Sequence, residues 1–263
     1  MPRKPRVAVL KFASCDGCQL SLLDAEDELL ALCANFEFVH FAEASSVLHP
    51  GPYDIAIVEG SITTAEDAGR IRRVRADSRV LITVGACATA GGIQALRAWG
   101  DSQAWVQSIY PSPEYIHTLA SSTPIAAHVL VDYELHGCPI NVRQLIEVLT
   151  SFAAGRRPHI PTHAVCLDCK RRGTVCVMVA QGMACLGPIT QAGCEALCPT
   201  YNRGCYGCFG PVPGANPSAL LHECRRHGHS NEELIPLLRN FNATAPTFRA
   251  ACDDLAKEPW TPA

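Results

Sequence analysis

The sequence predicts an α/β fold: a doubly wound parallel sheet followed by a smaller, loop-rich domain. Up to about residue 152, short apolar runs rich in β-branched residues alternate with amphipathic stretches. The runs are continuously apolar, as expected for strands that are buried on both faces. Beyond that point regular periodicity fades, while cysteines become frequent. The number of strands fits a flavodoxin-like sheet.

Each element follows from a local pattern. The predicted strands are VAVLKF at 7–12, FEFVHF at 36–41, DIAIVEG at 54–60, RVLITVGA at 79–86 and HVLVDYEL at 128–135. Helical spacing predicts a helix at 19–33, with Leu20, Leu23, Leu30 and Cys33 on one face. A second helix is predicted to start at a capping box of Thr63 and Glu66 and to end at about Arg75. A third is predicted at 142–153.

A linker rich in Pro, Gly and Arg (155–163) predicts two domains, 1–154 and 155–263. The second domain has little periodicity before a capped terminal helix at 230–241. Its loops carry so few apolar residues that we expect bound metal to supply part of the folding free energy.

Composition excludes several classes of function. The chain has 263 residues, 48% of them apolar, a net charge of −3 and a pI near 6.4, so a nucleic-acid or acidic-lipid surface is not indicated. An odd count of 15 cysteines, many in tight pairs, does not suit a secreted disulfide scaffold. The N-terminus has no long apolar segment or cleavage site, and no run approaches membrane-span length. We expect a soluble cytoplasmic protein.

Four cysteines of the first domain follow predicted strands: Cys15, Cys18, Cys87 and Cys138. Parallel strands end at the same sheet edge, where ligands bind at a topological switch point. Gly17, Gly85, Gly91 and Gly92 flank these thiols and permit close backbone approach. A redox dithiol would account for Cys15 and Cys18, and plain burial would account for the other two, but neither explains all four.

Eight further cysteines lie in one run, spaced C-x2-C-x6-C-x8-C and then C-x3-C-x6-C-x2-C. We assign them to two sites, Cys166, Cys169, Cys176 and Cys185 in one and Cys194, Cys198, Cys205 and Cys208 in the other. Three sets of four thiolates match the ligand count of three 4Fe–4S clusters, which predicts electron transfer. Zinc is the rival on spacing alone, and an exchange of a middle cysteine between the two sites stays open.

Other residues receive simpler interpretations. Cys33, Cys224 and Cys252 are predicted to be core residues. His136 and the basic run Lys170–Arg172 are expected to be solvated, although either could tune a cluster or dock a partner. Asp16 and Glu59 are candidates for proton movement near the sheet edge.

Four stretches of the sequence resemble the small, electron-transfer subunit of nickel–iron hydrogenases. They are CDGC (15–18), GACATAGGI (85–93), HGCPIN (136–141) and the run from CLDCKRRGTVC (166–176) through 185–211. The likeness reaches to about residue 240 and is greatest to the cytoplasmic, multimeric, NAD(P)-linked kind, including sulfhydrogenase delta subunits.

The resemblance implies a division of labour. A large partner subunit holds the nickel–iron centre, and the cluster matching Cys15, Cys18, Cys87 and Cys138 is proximal to it. The two other clusters carry electrons outward to iron–sulfur and flavin (FAD) subunits that act on NAD(P). This chain then has no catalytic residue of its own and is inactive alone.

Two departures from the membrane-linked relatives are informative. Cys166 stands where those relatives have a histidine ligand, and Ser14 replaces a glutamate linked to proton transfer. Three alternatives stay open: a subunit of an F420-reducing hydrogenase, a relative of the quinone-proximal subunit of respiratory complex I, and a zinc-stabilised interaction module. The sequence does not specify the terminal acceptor, and it contains no GxGxxG dinucleotide fingerprint.

Overall fold

The computed structural model describes residues 3–257, and the chain divides into two compact units between Pro158 and His159. The boundary predicted at residues 154 and 155 lies just before this point. Each unit has an apolar core of its own.

The first unit contains a five-stranded parallel sheet. Its strands are β1 (Arg6–Lys11), β2 (Glu37–Phe41), β3 (Tyr53–Glu59), β4 (Ser78–Val84) and β5 (Tyr133–Leu135). Their spatial order is β2-β1-β3-β4-β5, and every neighbouring pair is parallel. This is the doubly wound order of flavodoxin-like proteins, so the predicted fold class is confirmed.

Helices and short 3₁₀ segments connect these strands. The α-helices of this unit are α1 (Gly17–Leu23), α2 (Asp27–Asn35), α3 (Ala65–Ala76), α4 (Gly85–Ala90), α5 (Ser102–Ile109) and α6 (Val142–Ala153). The 3₁₀ segments are Ile93–Trp99, Pro113–Tyr115 and Ile125–Ala127.

The register of the sheet brings several strand ends to one edge. Lys11 pairs with Glu59, Glu59 pairs with Val84, and Val84 pairs with Leu135. These residues form the last row of four neighbouring strands. Every loop that leaves this row therefore starts from the same edge of the sheet, and three of these loops carry the candidate thiols.

Three predictions about the first unit need correction. The helix predicted at 19–33 is two helices, because the chain turns at Glu26, which has a φ of 46°. The cap of α3 is Thr64, whose side chain accepts a hydrogen bond from the Asp67 backbone N–H, one residue along from the predicted pair. The fifth strand begins only at Tyr133, because the preceding residues form a 3₁₀ turn and a loop.

The predicted apolar face of 19–33 is also wrong. Leu20 and Leu30 are exposed, and so is Cys33, which we expected to be a core residue. Leu32 is the buried residue of α2. The prediction assumed one unbroken helix. Because the chain turns at Glu26, α2 starts with a new orientation and its residues do not continue the face predicted from α1.

The second unit is more helical than the sequence predicts. It contains α7 (Val165–Arg171), α8 (Val177–Gln181), α9 (Leu197–Thr200), α10 (Pro217–Arg226), α11 (Asn231–Leu238) and α12 (Pro246–Lys257), with a 3₁₀ segment at Gly187–Ile189. The helix predicted at 230–241 starts with a complete capping box of Ser230 and Glu233, but it ends at Leu238 and is followed by α12.

Helices α10 and α12 were not predicted, and they change the energetics of the unit. Their buried residues include Leu220, Leu221, Cys224, Phe248 and Cys252, which join Leu186 and Ile189 from the cysteine-rich loops in one core. The second unit thus buries more apolar surface than its loops alone suggested, and burial of Cys224 and Cys252 is confirmed.

Between residues 3 and 257, no helix has both the length and the apolar character needed to cross a membrane.

Candidate metal centres

The four thiols that follow β1, β4 and β5 lie together at the carboxyl edge of the sheet; we call Cys15, Cys18, Cys87 and Cys138 the sheet-edge set. The effect of these thiols on one another's pKa values shows that they lie close together. The charges of Cys87 and Cys15 both raise the pKa of Cys138, and Cys138 and Cys87 raise that of Cys18. Thiols affect each other in this way only when they are near neighbours.

Two glycines leave room for the sheet-edge set. A Cβ on Gly85 would lie 2.4 Å from Cys18 Sγ, and a Cβ on Gly92 would lie 2.6 Å from Cys87 Sγ. Both residues also have a positive φ, 85° and 66°, which side chains rarely adopt. The lack of a side chain at these two positions therefore leaves space beside Cys18 Sγ and Cys87 Sγ.

Burial raises the pKa of three of these four thiols. It raises the pKa of Cys138 to about 11, and it is the largest cause of the raised pKa values of Cys18 and Cys87. Without metal these groups are therefore protonated at neutral pH. Binding of a cationic iron group would displace the protons, because thiolates rather than thiols are metal ligands.

Glu59 is a buried carboxylate beside this set. It is 2% exposed, and its two oxygens accept hydrogen bonds from the Cys18 backbone N–H (3.0 Å) and from Gln19 Nε2 (2.9 Å). Burial raises the pKa of Glu59, and the two hydrogen bonds oppose that shift. The carboxylate thus ties the end of β3 to the first turn of α1, which carries Cys18. Asp16, the other acidic candidate, instead pairs with Lys11.

Gln19 and Gln94 are residues of the site that the sequence interpretation missed. Gln94 Nε2 donates to the Ala13 carbonyl at 2.7 Å, and its side chain approaches Cys87 Sγ at 3.7 Å. Gln94 lies two residues after Gly92, one of the glycines that the sequence analysis placed beside the thiols. Nothing in the local sequence separates either glutamine from an ordinary helical polar residue.

Cys166, Cys169, Cys176 and Cys185 line one cavity of about 120 Å³ in the second unit, together with Lys170, Thr174, Val177, Met178, Gly187, Pro188 and Pro199. We call these four cysteines the cavity set. Burial, followed by the charges of Cys185, Cys169 and Cys176, raises the pKa of Cys166 to about 11. Four thiols predicted to act together thus surround a space several times the roughly 30 Å³ share of a water molecule.

The remaining thiols of the run, Cys194, Cys198, Cys205 and Cys208, form the C-terminal set. Burial is the largest cause of the raised pKa values of Cys198 and Cys205. The charge of Cys194 adds to the pKa of Cys198, and the charges of Cys185 and Cys208 add to that of Cys205. Cys185 lies beside this set, since its Sγ accepts a hydrogen bond from the Cys205 backbone N–H at 3.1 Å. The structure therefore places Cys185 of the cavity set next to Cys205 of the C-terminal set.

The donor chemistry fits iron–sulfur clusters. The three sets are all-sulfur, and the cavity set encloses space between its thiols. Backbone N–H groups point at the sulfurs of the second unit, from Cys205 to Cys185 and from Gly207 to Cys205. Among residues 3–257, no three Cys, His, Asp or Glu side chains have the compact arrangement that holds a single metal ion.

Comparison with known proteins places the first unit in a family. The model of the NADH ubiquinone oxidoreductase 20 Kd subunit family matches residues 15–152. This match begins at Cys15 and ends inside α6, so it spans the whole sheet-edge set. The alternative of a quinone-proximal relative was based on the same half of the chain.

Relatives that match both units are hydrogenase subunits. The chain is 33% identical to the sulfhydrogenase 2 subunit delta of Pyrococcus furiosus, over 90% of this chain and 98% of that protein. It is 28% identical to a subunit of the F420-non-reducing hydrogenase vhu of Methanocaldococcus jannaschii, over 90% of this chain and 94% of that protein.

A solved hydrogenase structure is similar to a smaller part of the chain. A chain of the NAD+-reducing NiFe hydrogenase in the H2-reduced state superposes with a TM-score of 0.56 and 31% identity, covering 60% of this chain and 96% of that one. The protein described here therefore belongs to the NADH ubiquinone oxidoreductase 20 Kd subunit family, and within it the chain is a hydrogenase small subunit.

Proposed function

We propose that the chain relays electrons through three 4Fe–4S clusters, between the nickel–iron site of a large partner subunit and a flavin/NAD(P) module. The observation that carries the proposal is the grouping of its thiols. Cysteines from three separate loops meet at the sheet edge, and four more line one cavity. A cubane of this kind takes up and gives back one electron at a time.

Each set would hold one cluster. The sheet-edge set would bind the proximal one, the C-terminal set the second and the cavity set, which contains Cys166, the third. Burial of Cys18, Cys185 and Cys205 keeps water from one side of each set. Gly85 and Gly92 leave the space that a cluster needs beside the sheet-edge thiols. Cys185 beside Cys205 would keep the second and third clusters close enough to exchange electrons.

The partners are proposed from the relatives. The matching proteins are subunits of multimeric hydrogenases, which supports a large subunit that carries the nickel–iron centre. The NAD+-reducing hydrogenase supports a nicotinamide acceptor reached through flavin- and iron–sulfur-containing subunits. A cytoplasmic location, where NAD(P) is available, is part of the same proposal. The F420-reducing alternative is less well supported, because the Methanocaldococcus relative is described as F420-non-reducing.

The proposal is tested on the complex. The chain should be affinity-purified without oxygen from its own organism, and the co-purifying subunits analysed for nickel and flavin. Addition of H2 should reduce NADP or NAD and bleach the visible absorbance of the clusters. A colourless, zinc-containing preparation would refute the electron-transfer function. Reduction of F420 in place of the nicotinamides would refute the proposed acceptor only.

A further inference from the structure

Gln94 brings a side-chain amide to a sulfur atom of the sheet-edge set. It is the second residue of the 3₁₀ segment Ile93–Trp99, and its side chain is half-buried. Both polar atoms of the amide, Nε2 and Oε1, lie 3.7 Å from Cys87 Sγ. Hydrogen bonds to sulfur are longer than those to oxygen, because the sulfur atom is larger. The amide is therefore within hydrogen-bonding distance of a proposed ligand atom.

The Ala13 carbonyl determines which end of the amide can serve the sulfur. Gln94 Nε2 donates to this oxygen at 2.7 Å, and only the N–H end of an amide can do so. The amide nitrogen carries two protons, so one remains for Cys87 Sγ. A thiolate bound to metal has no proton to give to Oε1, and it therefore accepts from Nε2.

Both ends of this bridge are held by the fold. The backbones of Ala13 and Ser61 exchange two hydrogen bonds, of 3.1 and 2.9 Å. Arg97 Nε donates to the Gln94 carbonyl at 3.1 Å, and the same guanidinium donates to Thr118 Oγ1 at 2.6 Å. The tip of the Gln94 side chain is thus fixed by one loop, and its backbone is fixed by another.

Gly92 leaves the space in which the amide meets the sulfur. A Cβ at this position would lie 2.6 Å from Cys87 Sγ and 2.6 Å from Gln94 Oε1. Heavy atoms do not approach a Cβ so closely, so a side chain at residue 92 would displace the sulfur, the amide or both. The glycine therefore permits this contact as well as making room at the thiol.

A donor at this sulfur favours additional negative charge. Burial raises the pKa of Cys87, and the hydrogen bond with Gln94 opposes that rise because it stabilises the thiolate. An iron–sulfur group gains one negative charge with each electron it takes up, and hydrogen bonds to its sulfur atoms help to set its reduction potential. An N–H donor therefore stabilises the reduced form more than the oxidised form.

We propose that Gln94 is a positioning residue of the sheet-edge site, whose amide donates to the Cys87 thiolate and raises the reduction potential of the cluster bound there. This inference deepens the proposed function and rests on it, since it requires a cluster in the sheet-edge set. Through the Ala13 carbonyl, the same amide ties the segment that follows Cys87 to the loop that carries Cys15. One side chain thereby contributes both to the shape of the site and to its potential.

The test measures the potential of each cluster in the full, cluster-loaded chain prepared without oxygen. The chain is titrated with dithionite, and the reduced clusters are followed by electron paramagnetic resonance. Each cluster takes up one electron from dithionite, and no bond forms or breaks in the protein. The Cys87→Ser chain is expected to lack the proximal cluster, so the signal missing from its spectrum identifies the sheet-edge cluster.

Two variants change the amide. Gln94→Met has a similar length but no donor. Gln94→Glu keeps the shape but carries a carboxylate, which only accepts hydrogen bonds when it is ionised. The matched control is Gln107→Met, at an exposed glutamine of α5 in the same unit. All three proteins should retain about twelve iron atoms per chain.

We expect the ratio of oxidised to reduced sheet-edge cluster, at a fixed potential, to rise about ten-fold in Gln94→Met. This ratio corresponds to a potential about 59 mV lower for a one-electron step. Gln94→Glu should shift the potential further in the same direction, because it also adds a negative charge. The other two clusters, and all three in the control, should keep the parent values. A merely structural role would change iron content or melting temperature and leave the potential alone.

Failure of the proposed function and failure of this inference give different results. If the parent chain shows no reducible cluster that disappears in Cys87→Ser, the proposed function fails at this set and the inference fails with it. If that cluster is present, an unchanged or higher potential in Gln94→Met overturns the inference alone. Loss of the cluster from both Gln94 variants also overturns it, because Gln94 would then be a structural residue only.

Discussion

The two units hold their thiols in different ways. In the first unit the sheet-edge set lies at the end of a parallel sheet whose central residues, such as Ala8, Ala56 and Leu81, are fully buried. In the second unit, cysteines contribute to the core itself, since Cys185 and Cys205 belong to its buried cluster. We expect a site placed at the edge of a finished scaffold to lose its metal and keep the fold. We expect a site that shares its residues with the core to lose its fold together with its metal.

Replacement of Cys185 by alanine should have the largest effect. Its Sγ lines the cavity and also accepts the hydrogen bond from Cys205 N–H, so both sets of the second unit depend on it. We expect iron to fall from about twelve to about four per chain, as counted from four iron atoms per cubane. Cys252→Ala is the matched control, because Cys252 is buried in the same core but belongs to no set. Retention of about eight iron atoms by the Cys185 variant would contradict the shared role.

Replacement of Cys87 by serine should affect one site only. Iron should fall to about eight per chain, while the circular dichroism and melting temperature of the sheet unit stay near those of the parent. The exposed Cys33, changed to serine, is the control and should leave the iron content alone. Unfolding of the sheet in the Cys87 variant would show that the first unit depends on its metal as the second does.

Gly85→Ala tests the space beside the sheet-edge set. The new Cβ would lie 2.4 Å from Cys18 Sγ, at a φ of 85°, so we expect loss of the proximal cluster and about 1–3 kcal/mol of destabilisation. Gly155→Ala has a similar backbone strain, with a φ of 67°, but nothing lies within 4 Å of its Cβ. The control should be weakly destabilised and keep its iron. Equal iron loss in both variants would make strain, rather than space at the sulfur, the cause.

Cluster loading should strengthen as pH rises. Burial raises the pKa of Cys138 and of Cys166 to about 11, so both are protonated thiols in the metal-free chain at neutral pH. Each must lose its proton on binding iron, and a reaction that releases protons is favoured at higher pH. Iron retained against a chelator should therefore increase as the pH is raised from mildly acidic to mildly alkaline. A flat profile, with no protons detected by an indicator dye during loading, would contradict these protonation states.

Thr64→Ala should give the smallest effect. It removes the side chain that caps α3 by accepting the Asp67 N–H at 3.1 Å, at a cost of about 1 kcal/mol in urea unfolding. Iron content should not change, because the loop from β3 to α3 that carries Thr64 contains no cysteine. A concurrent loss of the proximal cluster would show that the stability of the sheet unit and cluster binding are linked after all.

Much of the candidate site follows from the sequence, because strand ends and cysteine spacing are local signals. Apolar runs located β1, β3 and β4, and the parallel arrangement then required Cys15, Cys87 and Cys138 to share an edge. The grouping of Cys166 with Cys185 stays a prediction from cysteine spacing, and the cavity that both residues line supports it.

Features that depend on contacts between residues far apart in the sequence could not be predicted from it. The end of one helix at Glu26 reversed the exposure of Cys33, and no periodicity in the sequence marks that turn. Helices α10 and α12 are hidden by their many polar residues, since their buried faces are recognisable only from the core they meet. The hydrogen bonds of Gln19 and Gln94 are also invisible in the sequence, because their partners lie 40 and 81 residues away.

The most direct test of the central claim is the iron and acid-labile sulfide content of the full chain purified without oxygen, with protein measured by amino-acid analysis. Three cubanes predict about twelve iron and about twelve sulfide per chain. A value near four would leave a cluster at only one of the three sets, and zinc in place of iron would contradict electron transfer altogether.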